Sequence, residues 1–157
     1  MLPPRIQEKQ KCLYYAKGYW TEKTILDFWD DAVAQHGDRE YITDSRMGRF
    51  TYRQIDDMAS RLASFLQSSG IGPGEIVACQ IPVWFEFAVL AYACFKIGAV
   101  IHPLSVTYEA RDIAYFLDLH QPSCFVCPTW FHKRDYEAQI LSLLSGRPYL
   151  RQVVLLD

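Results

Sequence analysis

Three consecutive segments decide the fold: Ile76-Val77-Ala78-Cys79-Gln80-Ile81, then Trp84 through Ile97, then Gly98-Ala99-Val100-Ile101-His102-Pro103. The first is a short β-prone run. The second is apolar on nearly every side, which predicts a buried helix. Gly98 is a natural helix stop, and a second extended run follows over Ala99–Pro103. Two short apolar runs joined by a helix imply parallel strands with a crossover, because a tight hairpin can only join antiparallel ones.

The pattern continues downstream. Tyr108–Leu119 is amphipathic through Ala110, Ile113, Ala114 and Leu117. Ser123–Pro128 is a third extended run, Asp135–Leu144 a further helix, and Gln152–Leu156 a fourth run. The unbroken Val153-Val154-Leu155-Leu156 fits a strand covered on both faces. Upstream, Thr24 caps a helix to Gln35 with Asp27 in its first turn. Ile25, Trp29, Ala32 and Val33 form its apolar face, and His36-Gly37-Asp38 ends it. Tyr41–Thr43 and Arg49–Tyr52, separated by the turn residues Asp44 to Gly48, read as a hairpin. A helix from about Tyr52 to Ser69 opens on a Thr51/Gln54 capping box and carries the stripe Ile55, Met58, Ala59, Leu62, Phe65, Leu66. Gly70 stops it, and Gly72-Pro73-Gly74 makes a turn. The fold class is therefore α/β: an open, mostly parallel sheet with helices on both faces, preceded by a small β-hairpin. Residues 1–23 form a polar arm with Tyr14, Tyr15, Tyr19 and Trp20, and 24–157 form the α/β unit. The chain stops at Asp157, the end of a strand. Sheets of this kind normally continue there into a ligand-side loop, so the architecture reads as incomplete at its C-terminus.

Half of the 157 residues are hydrophobic and 22% are charged, which suits a globular domain and excludes a disordered chain. The net charge of −2 comes from interspersed acids and bases, with no basic stripe for nucleic acid. The longest uninterrupted apolar run, Phe87–Phe95, is too short to span a bilayer, and the N-terminus lacks the apolar segment of a secretory signal. These features predict a cytoplasmic protein without a transmembrane segment.

Candidate chemistry is sparse. Cys124-Phe125-Val126-Cys127, with His120 before it and His132 after it, has the composition of a zinc set or a redox pair. On a strand, however, the two cysteines point to opposite faces and cannot share a metal. Buried structural thiols are the favoured reading, for these and for Cys79 and Cys94. His102 sits at the carboxyl end of an expected strand, where ligands gather in α/β sheets; a structural histidine is the competing reading. His36 and His120 fall near helix ends. Asp30-Asp31 and Asp56-Asp57 read as surface charge. No glycine-rich loop with Lys, Ser or Thr opens a helix, so no phosphate cradle is expected. Nor is there a serine nucleophile elbow, a zinc-protease helix or a kinase signature.

Phe50-Thr51-Tyr52-Arg53-Gln54-Ile55 resembles the first core motif of adenylate-forming enzymes, Leu-Thr-Tyr-x-Glu-Leu. Gly70 to Val77 is similar to that family's turn into a strand. Gln80-Ile81-Pro82-Val83-Trp84-Phe85-Glu86-Phe87 resembles its Leu-Pro-Asn-Trp-x-Glu-Phe segment, and Phe95 to Pro103 its second core motif, Leu-Lys-x-Gly-Ala-x-x-x-Pro. Gly18-Tyr19-Trp20 recurs near the start of fatty acyl-CoA and aryl-acid members. Five motifs in order, in continuous register from about residue 12 to Asp157, resemble the N-terminal portion of an ATP-dependent acyl-CoA synthetase, of the bacterial short- and medium-chain fatty acyl-CoA type.

The resemblance implies a ligase that forms an acyl-adenylate from acid and ATP and then transfers the acyl group to coenzyme A. ATP, magnesium and coenzyme A are implied for the full-length family member. The phosphate loop, the adenine site and the mobile C-terminal lysine all lie beyond the matched segment. The resemblance therefore places no catalytic, cofactor-binding or metal residue in this chain, and the chain alone is expected to be inactive. Trp84, Phe85 and His102 are the candidates for a substrate or coenzyme channel. Val83 departs from the family's Asn, which weakens the case for an acyl-pocket role of its loop. The alternatives are a stand-alone protein-interaction module on the same scaffold and a redox or zinc protein built on the CxxC. The expected partner is the remainder of the synthetase, or a second copy through exposed apolar surface.

Overall fold

The computed structural model describes residues 8–157. Among them the chain forms α1 (Glu8–Ala16), α2 (Ile25–His36), the hairpin β1 (Glu40–Asp44) and β2 (Gly48–Thr51), and α3 (Tyr52–Ser68). There follow β3 (Ile76–Cys79), α4 (Phe85–Ile97), β4 (Val100–Pro103), α5 (Ala110–His120) and β5 (Cys124–Pro128). A two-residue hairpin, β6 (Trp130–Phe131) and β7 (Arg134–Asp135), leads into α6 (Tyr136–Ser142), and β8 (Gln152–Leu156) ends the order.

Local chemistry places the ends. Thr24 and Asp27 make a reciprocal capping box at α2, and Thr51 and Gln54 make one at α3. Gly98 takes a left-handed conformation, φ 70°, to close α4, a backbone shape that other residues adopt only under strain.

Four strands form the central sheet in the order β4-β3-β5-β8, every pair parallel. From β3 the chain steps outward to β4 through α4, then back across β3 to β5 through α5. Crossovers of one hand in opposite directions must run over opposite faces. The core divides accordingly. Leu66, Leu90, Cys94 and Ile97 of α3 and α4 pack on Val77, Cys79, Cys124 and Val126. Ile113, Leu117 and Ile140 of α5 and α6 pack on Ala78, Phe125 and Cys127. A third cluster joins α2, the hairpin, α3 and α4 around Trp29, Ile55, Ala59 and Val89.

Several details differ from the sequence reading. Ile25 and Phe65, both assigned to apolar faces, are 63% and 43% exposed. Leu26, one position on, packs in place of Ile25, and Ala63 joins Ile55, Ala59 and Leu66 on the buried face of α3. β8 is half-buried along its whole length instead of fully covered, since it is an edge strand. The β6–β7 hairpin was not anticipated; His132 and Lys133 both take positive φ in its turn, which the residue types did not announce. Within the N-terminal arm, Glu8–Ala16 is helical and buries no residue, and Tyr14 and Tyr15 pack edge-on against Trp20. No helix among the described residues is long and apolar enough to cross a membrane.

Candidate functional site

In an open α/β sheet, ligands bind beyond the carboxyl ends of strands where the crossovers diverge. Here that point lies beside β3, between β4 and β5. A cleft of about 620 Å³ occupies it. Its walls are the loops that leave the three strands: Ile81–Trp84 after β3, Leu104–Val106 after β4, and Phe131 with His132 after β5.

Trp84 stands at the rim, as the residue preceding α4. It is held from three sides. The Arg46 guanidinium lies 3.5 Å from the ring centroid, the Phe131 ring meets it edge-to-face with centroids 5.4 Å apart, and the Trp84 backbone N–H donates to the Pro82 carbonyl at 2.7 Å. Arg46 in turn donates through Nη2 to both carboxylate oxygens of Glu86 at 2.7 Å. The buried Asp44 completes this latch between the hairpin and α4. Its carboxylate accepts from the backbone N–H groups of Arg46 at 2.7 Å and Phe85 at 3.1 Å. The Phe85 bond satisfies a free donor at the helix start, where Trp84 itself offers no cap. Burial pushes the Asp44 carboxyl upward, but the backbone donors of Arg46 and Phe85 and the Arg46 charge outweigh it and hold the group below the ordinary carboxylate range.

A buried polar network lies under the loop that follows β4. Gln80, with no exposed surface, donates through Nε2 to the carbonyls of Ser105 at 2.8 Å and Tyr108 at 2.9 Å. Gln139 donates to the Gln80 carbonyl oxygen at 3.3 Å. The Val106 carbonyl accepts from Arg134 Nη1 at 3.2 Å and from the Tyr136 hydroxyl at 2.8 Å. The Ser105, Val106 and Tyr108 carbonyls of the loop are thus all paired, which fixes the loop on that side of the cleft. Arg134 is half-buried and pairs with no carboxylate among the described residues.

The structure separates the three sequence candidates. Trp84 lines the cleft. Phe85 turns away, stacks on Phe50 at 4.3 Å, and lines a second hollow of about 280 Å³ with Met58, Leu62, Val89, Val154 and Leu156. His102 lines neither. It pairs with Ala78 in the sheet and faces α5, against His120 at 4.6 Å and Phe116 at 5.8 Å. Burial, followed by the neighbouring His120, pushes its imidazole below the usual histidine range.

Cys124 and Cys127 do point into opposite cores, one against α4 and one against α5 and α6. Burial pushes both thiols up to about 12, as it does those of Cys79 and Cys94. No group of three metal-ligating side chains occurs among the described residues. Asp56, read as surface charge, instead accepts from the Trp29 indole at 2.7 Å and pairs with Lys96 at 2.8 Å. Gln80 had a signal in the sequence, a lone amide inside an apolar run. Asp44, Arg46 and Arg134 had none for their long-range partners Phe85, Glu86 and Val106, which lie far along the chain.

The model of the family described as AMP-binding enzyme matches residues 29–157. The chain belongs to the AMP-binding enzyme family. Among its AMP-binding relatives, the medium-chain fatty-acid–CoA ligase of Escherichia coli is 32% identical over 150 residues, which is 96% of this chain and 26% of that protein. A solved structure assigned as a long-chain fatty-acid CoA ligase of Rhodopseudomonas palustris superposes with a TM-score of 0.77 at 27% identity, over 86% of this chain and 33% of that one. Mycobacterium smegmatis MbtA superposes with a TM-score of 0.80 over 96% of this chain and 27% of its own; at 24% identity that likeness speaks for the fold. The fold is that of the N-terminal subdomain of adenylate-forming enzymes. The chain spans about a quarter of the length of the curated relatives it matches.

Proposed function

We propose that this chain is the N-terminal α/β part of an ATP-dependent fatty acyl-CoA ligase, and that within it these residues supply scaffold and one wall of the acyl or coenzyme channel. The observation that carries the reading is the cleft at the divergence point of a chain 32% identical to a medium-chain fatty-acid–CoA ligase. Val83, Trp84, Leu104 and Phe131 give it an apolar lining suited to an alkyl or pantetheine chain.

The residues do not fit a nucleotide triphosphate. Gly70, Gly72 and Gly74 turn into a strand instead of a helix, and the cleft lining offers neither a lysine nor a carboxylate that could hold magnesium. Adenylation of the acid, with release of pyrophosphate, and attack of the coenzyme A thiol on the acyl-adenylate are therefore assigned to other parts of the ligase. The Asp44–Arg46–Glu86 latch holds Trp84 at the rim, and the Gln80 network holds the opposite loop.

The test is ATP–pyrophosphate exchange by the purified chain with octanoate and decanoate. No exchange above background is expected; measurable exchange would overturn the assignment. Octanoate is expected to quench tryptophan fluorescence in the parent chain and not in Trp84→Phe, and a quench that survives this substitution, or none in the parent, would remove the channel reading.

A further inference from the structure

Val83 is the most exposed large apolar side chain among the described residues, and the backbone holds it there. The Trp84 N–H donates to the Pro82 carbonyl at 2.7 Å, which closes a three-residue γ-turn with Val83 at its apex. Val83 does not take positive φ, so the turn is of the common inverse form. Both ends of the turn are fixed. Pro82 is buried, with its φ set by its own ring, and Trp84 lies under the Arg46 guanidinium and against Phe131. Val83 packs into none of the three core clusters; its isopropyl group stands in the lining of the cleft with Trp84, Leu104 and Phe131.

The polar groups of the wall beside it are already spent. The Pro82 carbonyl takes the Trp84 N–H, the Ser105 carbonyl takes Gln80 Nε2, and the Val106 carbonyl takes Arg134 and Tyr136. The Ser105 hydroxyl pairs with that of Thr107 at 2.8 Å. An amide drawn against this wall gives up its water and gains no partner, whereas a methylene chain loses nothing and gains apolar contact.

We propose that Val83 is a specificity-determining residue of the cleft, a fixed apolar prong that selects the alkyl chain of a fatty acid over the amide-bearing pantetheine arm of coenzyme A. This selection rests on the channel reading above, which leaves both occupants open. The alkyl chain lies along Val83, Trp84, Leu104 and Phe131, and its carboxylate points to the open side, where Ser45 and His132 are exposed.

Isothermal titration of the 157-residue chain with octanoate and, separately, with pantetheine tests the selection. Octanoate should bind roughly tenfold more tightly than pantetheine. Val83→Asn puts an amide of similar size at the apex; it should weaken octanoate roughly tenfold and bring the two affinities together. Val83→Ile should keep octanoate within about twofold of the parent. Because Val83 contributes to no core, both variants should fold as the parent does, with circular dichroism as the check. Octanoate bound as tightly by Val83→Asn as by the parent overturns the proposal and leaves the channel reading standing. So does a parent that takes pantetheine as tightly as octanoate. A parent that binds neither ligand overturns both.

Discussion

Trp29 and Trp84 are both clasped by other side chains, yet one is enclosed in the core and the other borders a cleft. Trp29 is 4% exposed, stacks on Tyr92 at 3.7 Å, and gives its indole N–H to Asp56. α2, the hairpin, α3 and α4 enclose it. Trp84 is half-buried, covered on one face by Arg46, and borders a cleft. An aromatic ring packed by several elements reports on folding. One held in place by a charged latch beside an open cleft is available to a ligand.

The largest effect should come from the enclosed ring. Trp29→Ala is expected to cost roughly 3–5 kcal/mol in urea unfolding, through lost packing and an orphaned Asp56. Trp84→Ala should cost less, about 1–2 kcal/mol, since it is only partly buried and lies at the rim of a cleft. Equal costs would break the comparison.

Next is the latch. Asp44→Ala removes the acceptor for Phe85 N–H and a partner of Arg46, an expected loss of about 1–3 kcal/mol. Because the native Asp44 carboxyl is held below its ordinary value, its contribution is complete above about pH 4 and disappears as pH falls through the lower native value. The stability gap between the parent and Asp44→Asn should therefore narrow below pH 4. A gap that widens there would show that the carboxylate is not what matters.

A third test sharpens the contrast between closed and open regions. In the native state a thiol reagent should titrate Cys12 alone, with Cys79, Cys94, Cys124 and Cys127 reacting only after unfolding, because they are buried and their thiolates are suppressed. The smallest effect concerns His102. Its native imidazole favours the neutral form, so its contribution holds above about pH 6.5 and is lost as pH falls through its depressed native value. His102→Phe should flatten the stability profile between pH 7 and 5. An unchanged slope would place that pH dependence elsewhere.

The alternation of strands and helices was legible because hydrophobic period and cap residues act locally. Thr24 with Asp27, Thr51 with Gln54, and Gly98 placed their helix ends to within a residue or two. The strand alternation of Cys124 and Cys127 was legible for the same reason, and it disposed of a shared metal. The site was legible only in part. Trp84 could be named from its segment, but the neighbours that hold it could not. Arg46 and Phe131 reach it from distant parts of the chain, and no periodicity encodes such a meeting. His102 was misleading because strand position alone does not say which face a side chain takes; its register with Ala78 turns it toward α5.

The central claim is that these residues wall a channel and do not grip a triphosphate. Isothermal titration of the chain with magnesium-ATP tests it most directly. No saturable heat is expected across the concentrations at which an intact ligase would bind. A saturable isotherm with one-to-one stoichiometry would contradict the account.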